Sequence, residues 1–273
     1  MVHRKNLIKL IQTNSHRHDS WQVFSDFVEM SAISLSNAVD FAQREAREAR
    51  YMEIIRRYDK EEATRFAQML GELVMELEIA PGDVLGEVFM ELELGNKWHG
   101  QFFTPYSVCK MMAMFQVDDR MKELVERRGF IRANEPACGG GAMMIALAES
   151  MKAAGINYQQ QLHVVAQDLD LKAVCMAYVQ LSLLHIPAVV IHGNTLALEE
   201  RSHWYTPAHI MGGWGMKLRA AERRDAEAQQ QPAPAQIVVE RPVAPPAHDH
   251  IEEVLELVAP RSRTTETPQL SLF

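Results

Sequence analysis

A glycine-rich turn is the feature of this sequence with the clearest chemical potential. Residues 134–142 read Asn-Glu-Pro-Ala-Cys-Gly-Gly-Gly-Ala and lie between a strand-like apolar run and a long helix-like run. Glycine lets the backbone approach a ligand closely, and the first N–H groups of the following helix are free to bind one. Many connections between strands and helices look similar, so this turn alone fits a purely structural role equally well.

Polar residues also follow two further strand-like runs. Asp168 comes after the run 162–166, and Asn194 comes after the run 188–191. A carboxylate roughly 20 residues or more after a glycine-rich turn accepts hydrogen bonds from ribose hydroxyls in nucleotide-binding folds. This order favours a nucleotide-like ligand, whereas the alternative is that Asp168 only caps the next helix.

With an upstream segment, these residues resemble a known family. The order and spacing of four segments are similar to those in the S-adenosylmethionine (SAM) half of the N6-adenine DNA methyltransferases, specifically the modification subunit of type I restriction-modification systems. The resemblance runs from about Val84 to Leu196. The segments are Gly-Gln-Phe-Phe-Thr-Pro at 100–105, Glu-Pro-Ala-Cys-Gly-Gly-Gly at 135–141, Asp168, and Gly-Asn-Thr-Leu at 193–196.

The resemblance implies SAM as the cofactor, DNA as a partner, and a role for each matching residue. Residues 103–105 would close the pocket beside the methionine tail, and Asp168 would bind the ribose. Glu135 and Asn194 stand where the family usually has Asp, the latter near the adenine amino group. The predicted cofactor-binding residues are Gln101, Phe103, Thr104, Pro105, Glu135, Pro136, Ala137, Cys138, Gly139, Gly141, Asp168 and Asn194.

The part of the family motif that holds the methyl acceptor has no counterpart in this sequence. Methylation of adenine N6 requires the base to be flipped out, stacked on a side chain and hydrogen-bonded. The family does this with Asn/Asp-Pro-Pro-Tyr/Phe after the fourth strand, a motif that does not occur here. Trp204 and Tyr205 could stack on a base, but aromatic residues near a turn are more often packed in a core. The sequence therefore does not identify the catalytic residues.

Hydrophobic periodicity predicts the elements that position these residues. Residues 1–95 form a helical N-terminal region, in which Asp83 caps a helix. Strands alternate with helices in 96–216, which predicts a parallel sheet in a partial doubly wound, Rossmann-like α/β domain, with ligands beyond the strand carboxyl ends. The predicted strands are 130–133, 162–166 and 188–191, and the predicted helices include 84–92, 106–115, 143–154 and 173–184.

The sequence predicts an incomplete version of this fold. In the family the fourth strand lies beside the first, and no intact fourth strand follows Leu196. We therefore expect the strand 130–133 to have an open edge, and open edges invite pairing with another segment or chain. Ile237–Val239 or a partner chain is the expected cover.

Residues 217–273 differ in composition from the rest. Ala220 to His250 are rich in Ala, Glu, Gln, Pro and Arg, which predicts a flexible linker. The final residues resemble the Q-L-x-L-F peptide with which bacterial polymerases and mismatch-repair proteins hold the replicative sliding clamp, and a tethered peptide of this kind raises local concentration. The alternative is an apolar end without function. The residues in question are Gln269, Leu270, Ser271, Leu272 and Phe273.

Bulk composition excludes several classes of protein. The net charge of −8 argues against a generally basic protein that coats nucleic acid. Three cysteines without paired spacing predict a reducing compartment, and the eleven histidines show no metal-ligand spacing. No apolar run approaches the roughly 18 residues of a membrane span. We expect a cytoplasmic location without membrane or metal.

Two main functions are compatible with these observations, and a third, methylation of some other substrate through the segment Trp204–Trp214, has little support. One is a DNA adenine-N6 methyltransferase relative that uses SAM to modify DNA. The other is a catalytically inactive SAM-pocket remnant that the sliding clamp holds near replicating DNA as a regulatory or binding protein. The missing acceptor motif argues against methyl transfer and so favours the SAM-pocket remnant. The four matching segments indicate descent from the DNA adenine-N6 methyltransferases.

Overall fold

The N-terminal part of the protein is helical. The computed structural model describes residues 2–94 and 103–230. Its first part contains helices and no strand within the described residues 2–94, which confirms the predicted helical region. These helices are α1 (Val2–Asn14), α2 (Ser20–Asn37), α3 (Arg44–Ile55), α4 (Lys60–Ile79) and α5 (Val84–Glu91).

A four-stranded sheet with flanking helices follows. Its strands are β1 (Ile131–Glu135), β2 (Leu162–Asp168), β3 (Ala188–Asn194) and β4 (Glu199–Tyr205). Strands β1, β2 and β3 are parallel and lie in that order, and β4 is antiparallel beside β3. The predicted partial Rossmann-like α/β fold is confirmed. The helices are α6 (Tyr106–Gln116), α7 (Asp119–Arg128), α8 (Ala142–Ala153), α9 (Tyr158–Gln161), α10 (Leu171–Leu183), α11 (Pro207–Met211) and α12 (Trp214–Gln230).

Side-chain caps fix the starts of several helices. Asp83, the predicted cap of α5, accepts a hydrogen bond from the Gly86 N–H at 3.0 Å. Asp170 likewise caps α10 by accepting from the Lys172 N–H at 2.9 Å. Each bond satisfies a backbone donor that has no partner inside its own helix. These caps set where the two helices that flank the candidate site begin.

The helical region and the sheet share one core. Helix α10 packs on β2 and β3, and α2 packs on the other side of α10. The Arg47 side chain of α3 reaches β4, where its Nη2 donates to the His203 carbonyl at 2.8 Å and its guanidinium lies 3.9 Å from the centre of the Trp204 ring. The buried Asp40 carboxylate accepts from Arg47 at 2.9 Å, which compensates the guanidinium charge. Burial on both sides of α10 explains its almost wholly apolar sequence.

Strand β4 was not predicted. Its sequence, Glu-Glu-Arg-Ser-His-Trp-Tyr, is mostly polar, and Trp204 is its one buried residue. Pairing with β3 from Val189↔Tyr205 to Asn194↔Glu199 defines the strand. Tertiary pairing therefore overrides a local pattern that lacks alternation.

The linker predicted to begin at residue 217 overlaps a helix in the structure. Helix α12 continues from Trp214 to Gln230, across the predicted boundary at residue 217. The prediction relied on a missing hydrophobic period, but Ala, Glu, Gln, Arg and Lys are strong helix formers even without a buried face. Ile237–Val239 and the clamp-like peptide lie outside the described residues.

Strand β1 lies at the edge of the sheet. Among the described residues it pairs only with β2. Helix α12 approaches it through long side chains, and Glu222 lies 3.5 Å from the Arg132 guanidinium. The expected open edge is thus present in the described part of the chain.

Within residues 2–94 and 103–230, no helix combines the length and apolar character that a membrane span requires. No group of three or more His, Cys, Asp or Glu side chains in these residues is arranged to hold a metal. Cys109, Cys138 and Cys175 are buried free thiols.

A buried histidine pair joins β2 to α11. Nε2 of His163 lies 2.9 Å from Nδ1 of His209, and Trp214 packs against His163. Burial lowers the pKa of both side chains, that of His163 to about 3, with repulsion from His209 and Arg132 adding to its shift. Protonation therefore favours the unfolded chain, so the free energy of unfolding falls as pH drops below the unfolded value of about 6.5.

We predict that His163→Phe reduces this pH dependence. Between pH 7 and pH 5 the wild type should lose about 2 kcal/mol more of its free energy of unfolding than the variant, because the variant has no buried imidazole to protonate. Urea denaturation at the two pH values measures this difference. The exposed His16 provides the control, since His16→Gln should follow the wild type; equal slopes in all three proteins would contradict the prediction.

Candidate cofactor site

The turn after β1 is bonded to the ends of the two neighbouring strands. The Cys138 N–H donates to the Gln167 carbonyl at 2.9 Å, and the Gly139 N–H donates to the Asp168 carboxylate at 2.8 Å. The Thr195 hydroxyl, just beyond β3, donates to the Pro136 carbonyl at 2.7 Å. Three segments that are far apart in sequence therefore meet at the carboxyl edge of the sheet.

The backbone of this turn depends on glycine. Gly139 and Gly141 have φ values of +52° and +91°. A Cβ at residue 139 would lie 2.9 Å from the Phe103 ring, and one at residue 141 would lie 3.3 Å from the backbone and side chain of Ala177. Glycine adopts the left-handed conformation at little cost and leaves room for these neighbours. Any residue with a Cβ would be strained in both respects.

The upstream segment lies against the turn. Phe103 packs on Gly139 and on Phe89, whose ring centroid is 5.0 Å away. The exposed Thr104 and Pro105 follow, and Pro105 directly precedes α6. These residues line a cleft of about 550 Å³ beside Asp83 and Tyr106. Gln101 lies outside the described residues.

Two carboxylates surround the turn. One oxygen of Asp168 accepts from the Gly139 N–H and the other from the Asp170 N–H at 3.0 Å. Each oxygen retains a second acceptor position, so ribose hydroxyls can still be bound. Glu135 accepts from the Ala137 N–H at 3.4 Å.

Cys138 is a buried thiol within this acidic surrounding. Burial raises the pKa of its thiol, and the negative charges of Asp168 and Glu135 raise it further. A raised pKa keeps the sulfur protonated and unreactive at neutral pH. Cys138 thus shapes the turn and is not an activated nucleophile.

Comparison with known proteins identifies the fold around this site. Residues 82–212 match a family model described as N-6 DNA Methylase. Residues 82–212 form a domain of the N-6 DNA methylase family. Members of this family use SAM as the methyl donor. A search of curated proteins found no match to the chain.

The N-6 DNA methylase domain extends beyond the segments that the resemblance covered. It begins before α5 and ends after α11, so it includes Asp83 and strand β4. Of the predicted cofactor residues, the structure brings together Phe103, Glu135, Gly139 and Asp168 with their chain neighbours.

Asn194 is already engaged within its own turn. Its side-chain oxygen accepts from the Leu196 N–H at 3.1 Å and from the Ala197 N–H at 3.2 Å. An amide oxygen has two lone pairs, and both are used here. The predicted contact with an adenine amino group therefore competes with the structure of this turn.

Sequence reasoning missed Gln180, a residue of this N-6 DNA methylase domain that also touches the turn. Gln180 is fully buried, and its amide contacts Gly140 and Asp83. The available signal was a single large polar residue inside the apolar helix 173–184. Asp83 was predicted only as a helix cap, because its partner lies 97 residues away.

We predict that Gly141→Ala destabilises the domain more than Gly155→Ala does. Both glycines have positive φ, +91° and +80°, so both variants carry about 1–2 kcal/mol of backbone strain. Only the Cβ at residue 141 meets neighbouring atoms, those of Ala177, and this contact adds about 1 kcal/mol or more. Urea denaturation gives the two losses of unfolding free energy. Equal losses would show that the turn does not require this close packing.

Proposed function

We propose that this domain binds SAM where β1, β2 and β3 end and provides the methyl donor for DNA adenine-N6 methylation. The observation that supports this proposal most strongly is the hydrogen bond from the Gly139 N–H to Asp168. It places a glycine turn, a helix N-terminus and a free carboxylate face within one site. The sequence resemblance further connects the domain with type I modification subunits and hence with DNA as substrate.

Each part of SAM has a chemically suitable partner in this site. The N-terminus of α8, which begins directly after Gly141, offers N–H groups and a positive dipole end to the carboxylate of the methionine tail. Asp168 offers acceptor positions to the ribose hydroxyls. Glu135 and Asp168 carry negative charge toward the ammonium and sulfonium groups. Phe103 provides an apolar wall, and Thr104 and Pro105 extend it beside the methionine tail.

The acceptor side of the reaction supports a second candidate function, a SAM-binding protein without methyl transfer. The sequence contains no Asn/Asp-Pro-Pro-Tyr/Phe segment. Trp204 is 6% exposed beneath Arg47, and it pairs with Val190 of β3. Tyr205 pairs with Val189, which lies five residues before Asn194 at the cofactor end of β3. Both rings therefore lie toward the amino end of β3, away from the carboxyl edge where the proposed site would hold SAM and its methyl group.

Titration with SAM in a calorimeter tests the cofactor site. We expect saturable binding by the wild type and a loss of roughly 10- to 100-fold in affinity for Asp168→Ala, because hydrogen bonds to a charged group contribute about 1.5–3 kcal/mol. Asp119→Asn is the control, since the Asp119 side chain is 93% exposed on α7. Undetectable SAM binding by a folded wild type would refute the proposal.

Transfer of a labelled methyl group from SAM to DNA separates the two candidate functions. Transfer that Asp168→Ala abolishes supports the enzyme. Binding of SAM without transfer, with unmethylated adenine-containing DNA present, supports the SAM-binding protein.

The clamp-binding peptide stays a prediction from the sequence. We expect the 273-residue chain to bind purified bacterial sliding clamp, and removal of Leu272 and Phe273 to weaken binding by more than about tenfold, because paired apolar anchors dominate such contacts. Ser271→Ala is the matched control, since this position is variable in the Q-L-x-L-F pattern. Unchanged binding of the shortened protein in a calorimeter would exclude the peptide as a clamp ligand.

A further inference from the structure

A buried hydrogen-bond network lies behind the glycine turn. Gln180 of α10 is 0% exposed. Its Nε2 donates to the Gly140 carbonyl at 2.9 Å and to the Asp83 carboxylate at 2.8 Å, and its Oε1 accepts from the Leu85 N–H at 2.9 Å. One amide therefore connects α5, the turn and α10, with both of its N–H donors in use.

Asp83 is the second member of the network. It is 4% exposed, and its Oδ1 accepts from both Gln180 and the Gly86 N–H. A Cβ at residue 86 would overlap the Asp83 carboxyl group, and one at residue 140 would lie 3.2 Å from Oδ1. The backbone of α5 and that of the turn thus both fit closely around this carboxyl group.

A helix cap alone does not account for this arrangement. Asp59 caps α4 from an exposed position, with a side chain that is 47% accessible. Burial of a carboxyl group is unfavourable by comparison and raises the pKa of Asp83. Buried polar groups of this kind can serve to fix one geometry. Here the fixed element is the Gly140 peptide, which lies between Gly139, bonded to Asp168, and Gly141, which precedes α8.

We propose that Gln180 and Asp83 are positioning residues that hold the glycine turn in its cofactor-binding shape. They act through the Gly140 carbonyl. This inference rests on the proposed function, because it presupposes that SAM binds at the turn.

Loss of the network should weaken SAM binding more than it destabilises the fold. Gln180→Met keeps the length of the side chain and removes every hydrogen bond of the amide, so the Gly140 carbonyl and Asp83 lose a partner. The turn then samples other peptide orientations, and we expect SAM affinity to fall roughly tenfold or more. Asp83→Asn keeps an oxygen acceptor for Gly86 and Gln180, so this conservative variant should bind SAM within about twofold of the wild type.

The experiment combines SAM calorimetry with NMR of the glycine amides on the full chain. The expected result for Gln180→Met is weaker SAM binding together with shifted amide resonances of Gly139, Gly140 and Gly141 in the absence of SAM. Gln160→Met is the control, because Gln160 is exposed on α9. Unshifted glycine amides, or SAM affinity within twofold of the wild type, would overturn the proposal.

A second variant decides the matter should Gln180→Met fail to fold. Gln180→Glu keeps the size of the side chain but has at most one proton to donate, so it cannot serve both the Gly140 carbonyl and the Asp83 carboxylate. Its SAM affinity should therefore also fall roughly tenfold or more. A folded Gln180→Glu variant that binds SAM within twofold of the wild type overturns the positioning role. A wild type that binds no SAM refutes the proposed function instead, and the NMR comparison without SAM still tests the positioning role.

Discussion

The hydrogen bond between the Gly139 N–H and the Asp168 carboxylate is the constraint on which the candidate site depends. Parallel pairing in the register Glu135↔Ala166 ends β1 two residues before β2 ends. Asp168 therefore extends past the last β1 pair and stands beside the turn, where its oxygen meets Gly139 at 2.8 Å. A shift of register by one residue would turn Asp168 to the other face of the sheet. The site is thus a consequence of strand length and register as much as of residue type.

The electrostatics of the site suit a cationic cofactor. Glu135 and Asp168 both act on the buried Cys138 thiol and raise its pKa, so their negative charges converge on the turn. Among the contacts described above, backbone N–H groups are the donors to these two carboxylates. A sulfonium and an ammonium group would supply the missing positive charge, and the N-terminus of α8 would receive the carboxylate. SAM carries all three groups.

Much of this arrangement was predictable from the sequence because it depends on local patterns. Apolar periodicity gave the parallel strands and the helices between them, and the glycines and Asp168 marked the carboxyl edge. Strand β4 was missed because pairing with β3, and not its own composition, defines it. Gln180 was missed because its role is visible only when residues 83, 140 and 180 meet in space. The part of helix α12 after Met216 was predicted as linker, because its helical structure rests on helix propensity and not on an apolar stripe that a sequence pattern would reveal.

Hydrogen–deuterium exchange of the full chain with and without SAM maps the position of the bound cofactor onto the backbone. A cofactor bound at the glycine turn should slow exchange in peptides that cover residues 103–107, 136–142 and 168–170, with little change at Trp204 and Tyr205 of β4, which pair near the start of β3. Slower exchange confined to other parts of the chain, or none at saturating SAM, would contradict a cofactor site at the turn.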